Sequence, residues 1–190
     1  LRHVLVRTSE ATGQIMVVIV TGTPIFPGSK NFVGALRKQC PEITTVIQNI
    51  NPQKTSMILG ERDKVLYGKG YIEDELLGLT FRLSPASFYQ VNAKMTEKLY
   101  ETALSFANLT ANDTVLDAYC GVGTIGMAAS RSAGQVIGVE LNKAAVRDAI
   151  ANAKRNGIEN IRFFADDASD FLLRVAESGE KLDAVIMDPP

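Results

Sequence analysis

The chain has 190 residues, 46% of them apolar and 22% charged, with a formal net charge of −1. It is too long and too apolar for a disordered segment, and it can bury one full domain plus a smaller one. No run of about 18 apolar residues and no basic-then-apolar leader at Leu1 is present, which argues against a membrane span or a secretory signal and predicts a soluble cytoplasmic protein. In the first part of the chain, β-branched residues alternating with polar ones predict short strands at 4–8, 14–21, 45–50, 55–60, 64–67 and 79–83. Thr12 and Gly13 predict a hairpin between the first two strands. Pro24 to Gly28 breaks the chain before a helix at 30–38, and Gly68-Lys69-Gly70 marks another turn. This is α+β patterning.

From Asn92 onward helix and strand alternate at regular intervals, which predicts parallel βαβ units. A helix at 93–107, with Asn92 placed to cap it, sets Met95, Leu99, Ala103 and Phe106 on one face. Strands follow at 114–118, 136–140, 161–165 and 184–188, with helices near 125–130, 143–155 and 168–177 between them. The domains predicted are therefore 1–85, central and α+β, and 86–190, the N-terminal part of a Rossmann-like α/β sheet. Charge divides mildly between them, at about +3 up to Pro85 and about −4 from Ala86 onward, which by itself does not argue for nucleic acid. The chain stops directly after a buried strand, where a sheet still needs later strands, and this predicts a fragment.

The chemistry sits in Val115-Leu116-Asp117-Ala118-Tyr119-Cys120-Gly121-Val122-Gly123-Thr124-Ile125-Gly126: a strand ending in an acid, a glycine-rich turn, then a helix. Gly121, Gly123 and Gly126 have the spacing of a nucleotide-binding turn, and Glu140 ends the next strand. An ionised acid there accepts bonds from both hydroxyls of an adenosine ribose and excludes a ribose phosphate. NAD-binding domains use the same logic. Asp117, however, lies where a pyrophosphate would have to pass, and it favours a ligand with an ammonium group, as S-adenosylmethionine has. Asp167, or its neighbour Asp166, is placed to accept from the adenine amino group, and Asp188 ends the fourth strand. Each of these acids has a plainer reading as a helix cap. Cys40, Cys120 and the single histidine, His3, show no metal-ligand spacing, so no metal site is expected in this chain.

Three further strings narrow the class: Ser87-Phe88-Tyr89-Gln90-Val91-Asn92, Gln48-Asn49-Ile50-Asn51 followed by Leu59-Gly60, and Asp188-Pro189-Pro190. Together with the glycine loop they resemble the RNA (uracil-5-)-methyltransferase family over essentially the whole chain. The segment 48–51 is most similar to the Gram-positive enzymes acting on 23S ribosomal RNA. The resemblance implies a class I methyltransferase fold, S-adenosylmethionine as cofactor, and a 23S ribosomal RNA partner ahead of transfer RNA. It implies cofactor contacts from Gln90, Tyr119, Glu140 and Asp188, with Asp167 and Thr124 behind them. It also implies that a cysteine nucleophile, which attacks C6 of uracil, and a general base both lie beyond Pro190, so that no catalytic residue is expected in this chain. Cys120 is a packing residue on this view. An RNA-binding barrel and iron–sulfur cysteines, where the family has them, precede the position of Leu1.

Two other classes stay open. Asp-Pro-Pro also ends this strand in methyltransferases of exocyclic adenine or guanine amines, and the residue after Pro190 separates them: an aromatic favours amines, Arg or Lys followed by Gly favours uracil. A non-catalytic RNA-binding module with a vestigial cofactor fold is the other. For RNA contact the first domain offers Arg37, Lys38, Lys54, Arg62, Lys64 and Lys69, a scattered set that also reads as a solvated face.

Overall fold

A computed structural model of the chain describes residues 1–189, which fall into two compact units. The first holds residues 1–75 and 82–86; the second holds 76–81 and the residues from Ser87 on.

In the first unit β1 (His3–Thr8) and β2 (Ile15–Thr21) pair antiparallel. The Ser9 amide closes the turn between them onto the Gln14 carbonyl at 2.9 Å. Helix α1 (Ser29–Gln39) carries the chain to β3 (Ile43–Ile50), parallel to β2, and β4 (Arg62–Tyr67) returns antiparallel to β3, giving the order β1-β2-β3-β4. Strand alternation points Val17, Ile19 and Val46 to one face, where Val33 and Leu36, one helical turn apart on α1, cover them.

Two expectations fail here. No strand forms at 55–60. Side-chain amides of the preceding strand take the backbone groups a ladder would use: Asn51 Nδ2 donates to the Met57 and Ile58 carbonyls at 2.8 and 3.0 Å, and Asn49 binds both the carbonyl and the amide of Gly60. Conversely, β5 (Ile72–Leu76) was not expected; it pairs with β6 (Leu79–Leu83) across a tight turn at Leu77 and Gly78, both with positive φ. Its inward positions are Ile72, Asp74 and Leu76, so an acid interrupts the apolar alternation. The buried Asp74 is satisfied by the Ser9 hydroxyl at 2.6 Å.

The second unit contains α2 (Ala93–Ala107), β7 (Thr114–Ala118), α3 (Thr124–Ala129), β8 (Gln135–Glu140), α4 (Lys143–Arg155), β9 (Ile161–Ala165), α5 (Ala168–Ser178) and β10 (Ala184–Met187). All its strand pairs are parallel, in the order β10-β7-β8-β9. The near-continuous apolar runs of β7 and β8 fit a sheet with both faces covered: Leu116, Ala118 and Val139 pack with Ala168, Phe171 and Leu172. Asn92 caps α2 as expected, accepting from the Met95 amide at 3.1 Å. The helix is turned differently from what its apolar face suggests, because Met95, Leu99 and Phe106 are 58, 58 and 84% exposed while Thr96 and Tyr100 are buried.

Candidate active site

Strand β7 is the pivot of the parallel sheet. From it the chain winds outward through β8 and β9 and then returns to β10 on the opposite side, so the direction of winding reverses between β7 and β10. A crevice opens at the carboxyl ends of the strands at such a switch point. Asp117 lies one residue from the end of β7, and Asp188 follows β10 directly. Both line a narrow cleft of about 60 Å³, together with Gln90, Tyr100, Tyr119 and Thr124.

The glycine turn shapes this cleft. Tyr119 leaves β7 with φ of 65°, a left-handed conformation that is strained for an aromatic residue. Gly123 precedes Thr124, the first residue of α3. The Gly126 amide then donates to Asp117 Oδ2 at 2.9 Å, and a Cβ on Gly126 would stand 2.7 Å from that same oxygen. The close approach of helix to carboxylate therefore requires glycine at this position.

Asp117 is 2% exposed, and its carboxyl is pushed up to about 7. Burial is the main cause; the Gly126 amide opposes it, and the charges of Asp188 and Glu140 add to it. Among the described residues, no lysine, arginine or histidine lines the cleft to neutralise these acids. Glu140, at the end of β8, borders the turn with both oxygens fixed: Oε2 accepts from the Gly121 amide at 3.0 Å and Oε1 from the Asn142 amide at 2.7 Å. A carboxylate has about four lone-pair sites, so two backbone bonds orient the group without exhausting it.

Gln90 sits half-buried in the irregular segment before α2, with Phe88 beside it at 71% exposed. Cys120 also lines the cleft, but its thiol is pushed well up by burial and by the charges of Asp117 and Glu140, which leaves it a poor nucleophile.

Of the residues singled out from sequence, the structure brings Gln90, Asp117, Tyr119, Gly121, Thr124 and Asp188 to one cleft, with Glu140 bound to its wall through Gly121. Asp167 is placed apart from it as the cap of α5, its Oδ1 accepting from the Ser169 and Asp170 amides at 2.8 and 3.2 Å. Asp166 pairs with Arg174. Pro190 and the expected nucleophile and base lie outside the described residues. Sequence reasoning missed Tyr100, whose hydroxyl lies 3.0 Å from Thr124 Oγ1. The signal was a lone polar-tipped residue beside the apolar face of α2. In the first unit Arg37 stacks on the Tyr67 ring at 3.8 Å, and Arg62 and Lys64, two apart on β4, share one exposed face. Among the described residues no Cys, His, Asp or Glu cluster could hold a metal ion, and no helix is long and apolar enough to cross a membrane.

Comparison with known proteins agrees with this geometry. The chain is 44% identical to an "Uncharacterized RNA methyltransferase" of Enterococcus faecalis and 45% identical to a protein of the same description from Lactiplantibacillus plantarum. Each alignment covers 100% of this chain but 42% of the relative, so the chain spans about two-fifths of the length of the curated relatives it matches. A solved tRNA (uracil-54, C5)-methyltransferase of Pyrococcus abyssi, in complex with S-adenosyl-L-homocysteine, superposes with a TM-score of 0.75 at 26% identity, over 98% of this chain and 43% of that one. A putative S-adenosylmethionine-dependent methyltransferase from Streptococcus mutans, at 16% identity and a TM-score of 0.57 over 94% of this chain and 46% of that one, shares the fold. The fold is thus the Rossmann-like one of S-adenosylmethionine-dependent methyltransferases. Residues 34–181 match the model of tRNA (uracil-5-)-methyltransferases, and the chain belongs to that family.

Proposed function

We propose that the second unit holds S-adenosylmethionine and that the polypeptide carrying this chain uses it to methylate C5 of a uridine in RNA, with 23S ribosomal RNA as the substrate. The observation that carries the reading is the pair of anchored carboxylates at the ends of β7 and β8, Asp117 lining a cleft that no basic side chain among the described residues lines and Glu140 bound to its wall through Gly121. The residues present fit the cofactor. Glu140 keeps lone pairs for a ribose diol, while Asp117 and Asp188 supply negative charge for an ammonium or sulfonium. A dinucleotide fits poorly, since its pyrophosphate would lie against Asp117. Gln90 offers an amide to the amino-acid end, and the Tyr119 ring offers a face to the adenosine or the cation. Gly121, Gly123 and Thr124 form the turn that passes beside it. Asp167 has Oδ1 committed to the helix cap, which leaves Oδ2 for the adenine amino group.

When bound, S-adenosylmethionine supplies an electrophilic methyl group; this chain's own residues bind and orient it. The nucleophile and base belong, on the family pattern, beyond Pro190. Residues 1–85 form the RNA-contacting part in this reading, and the shared face of Arg62 and Lys64 supports it. Family membership supports uracil as the acceptor, as does the uracil C5 specificity of the solved Pyrococcus abyssi relative.

The test is to incubate the natural polypeptide with methyl-labelled cofactor and either 23S ribosomal RNA or transfer RNA, then digest to nucleosides. Label in 5-methyluridine from 23S RNA is expected. Label in N6-methyladenosine or N2-methylguanosine would replace the uracil reading with the exocyclic-amine one, and cofactor binding without any transfer would favour the non-catalytic module. The 190-residue chain alone is expected to bind cofactor and methylate nothing.

A further inference from the structure

Tyr100 presents a puzzle of placement. Helix α2 leaves Met95, Leu99 and Phe106 in solvent and buries Thr96 and Tyr100 instead, against the usual preference for aliphatic side chains inside. The Tyr100 ring is 6% exposed, and its hydroxyl reaches the cleft, where it meets Thr124 Oγ1 at 3.0 Å. Two hydroxyls that share one hydrogen bond hold two protons between them, of which the bond uses one. The second is left to donate to a third group.

The surrounding charge says what that group is. The cleft wall carries Asp117 and Asp188 and, among the described residues, no basic side chain. A zwitterionic amino-acid end can set its ammonium against these acids, but its carboxylate then needs donors that bring no positive charge of their own. A lysine or arginine would pair with Asp117 and compete with the ammonium; a hydroxyl pair would not. Tyr100 is suited to remain a donor: burial pushes its hydroxyl up, the Thr124 bond opposes this, and the charges of Asp117 and Asp188 push it further.

We propose that Tyr100 and Thr124 act as a hydroxyl pair that receives the carboxylate of the methionyl end of S-adenosylmethionine, an assignment that rests on the cofactor reading above. Tyr100 thereby becomes a binding residue of the site, contributed by the helix that precedes the sheet.

The experiment is calorimetry on the natural polypeptide with S-adenosylmethionine and with its decarboxylated analogue, which keeps the sulfonium and the amine. Tyr100→Phe and Thr124→Val are each expected to weaken S-adenosylmethionine by about ten- to a hundredfold, the size of one hydrogen bond to a charged group, while changing the analogue by less than about twofold. Thr124→Ser, which keeps the hydroxyl, is expected to bind as the wild type does. Equal losses for both ligands would reduce the pair to packing and overturn the proposal, as would an unchanged affinity for S-adenosylmethionine in Tyr100→Phe. A wild type that binds neither ligand would overturn the cofactor reading itself. A wild type that prefers the carboxylate-bearing ligand, with that preference intact in both variants, would overturn the hydroxyl pair alone.

Discussion

Two loops follow two parallel strands in this chain, one in each unit, and they treat polar groups in opposite ways. At the end of β3, the buried amides of Asn49 and Asn51 spend their donors and acceptors on the backbone of residues 53–60, apart from one Asn49 donor that goes to Asp63 Oδ1. Around the turn after β7, Asp117 is oriented by one backbone amide and Glu140 by two, and both keep acceptor capacity, Asp117 in a cleft lined by no counter-charge among the described residues and Glu140 at the wall beside it. Neutral, saturated groups define a shape. Charged groups with capacity to spare describe something that is to be bound.

The largest effect that would break this contrast belongs to the first loop. A Cβ on Gly60 would stand 2.1 Å from the Ile50 carbonyl oxygen and 2.8 Å from Asn51 Cα, so backbone must move. Gly60→Ala is expected to destabilise the first unit by about 3 kcal/mol or more, lowering its melting temperature by roughly 12–24 °C. Cofactor affinity in the fraction that remains folded should be unchanged. If calorimetry instead showed the affinity falling with the melting temperature, the saturated loop would have a share in binding and the contrast would be wrong.

Next in size is Glu140→Ala, which removes the ribose acceptor and leaves the Gly121 and Asn142 amides without it. S-adenosylmethionine affinity is expected to drop about a hundredfold, with a melting shift of only a few degrees. Glu140→Gln is the sharper variant: it preserves the packing and one of the two backbone bonds but sets a donor against the other amide, so it should recover only part of the stability and none of the affinity.

The sequence told these loops apart only in part. The glycine turn was legible because its requirements are local: Asp117, the glycine spacing and Glu140 all sit at strand ends that β-branched runs announce. The rest depended on contacts distant in sequence. Residues 55–60 carry strand-like composition, and only the reach of Asn49 and Asn51, up to eleven positions back, removes their backbone groups from a ladder. β5 was hidden by Asp74, an acid at a core position whose partner, Ser9, lies 65 residues away. Tyr100 was overlooked because the helical periodicity of α2 finds its apolar face, and the site uses the other one. For Asp167 the sequence offered both an adenine contact and a helix cap; the local geometry shows the cap, made through Oδ1 alone.

The smallest expected effect tests the second loop on its own terms, through protons. Asp117, pushed up to about 7 mainly by burial, is partly protonated near neutrality in the free protein. Because its folded value lies above the ordinary 3.8, ionising it opposes folding. The penalty is absent below the ordinary value, grows as pH rises from there, and is complete above about 7. A bound cation favours the ionised form and so relieves that penalty, which links binding to loss of the proton. Affinity for S-adenosylmethionine should therefore rise by about five- to tenfold between pH 6 and pH 7.5 as Asp117 ionises. In Asp117→Asn the rise should vanish, the affinity should stay at or below the wild-type value at pH 6, and the unliganded protein should melt higher than wild type at pH 8 but not at pH 4. An Asp117→Asn variant that keeps the full pH dependence would show that the proton belongs to another group and that Asp117, like Asn49, serves the fold alone.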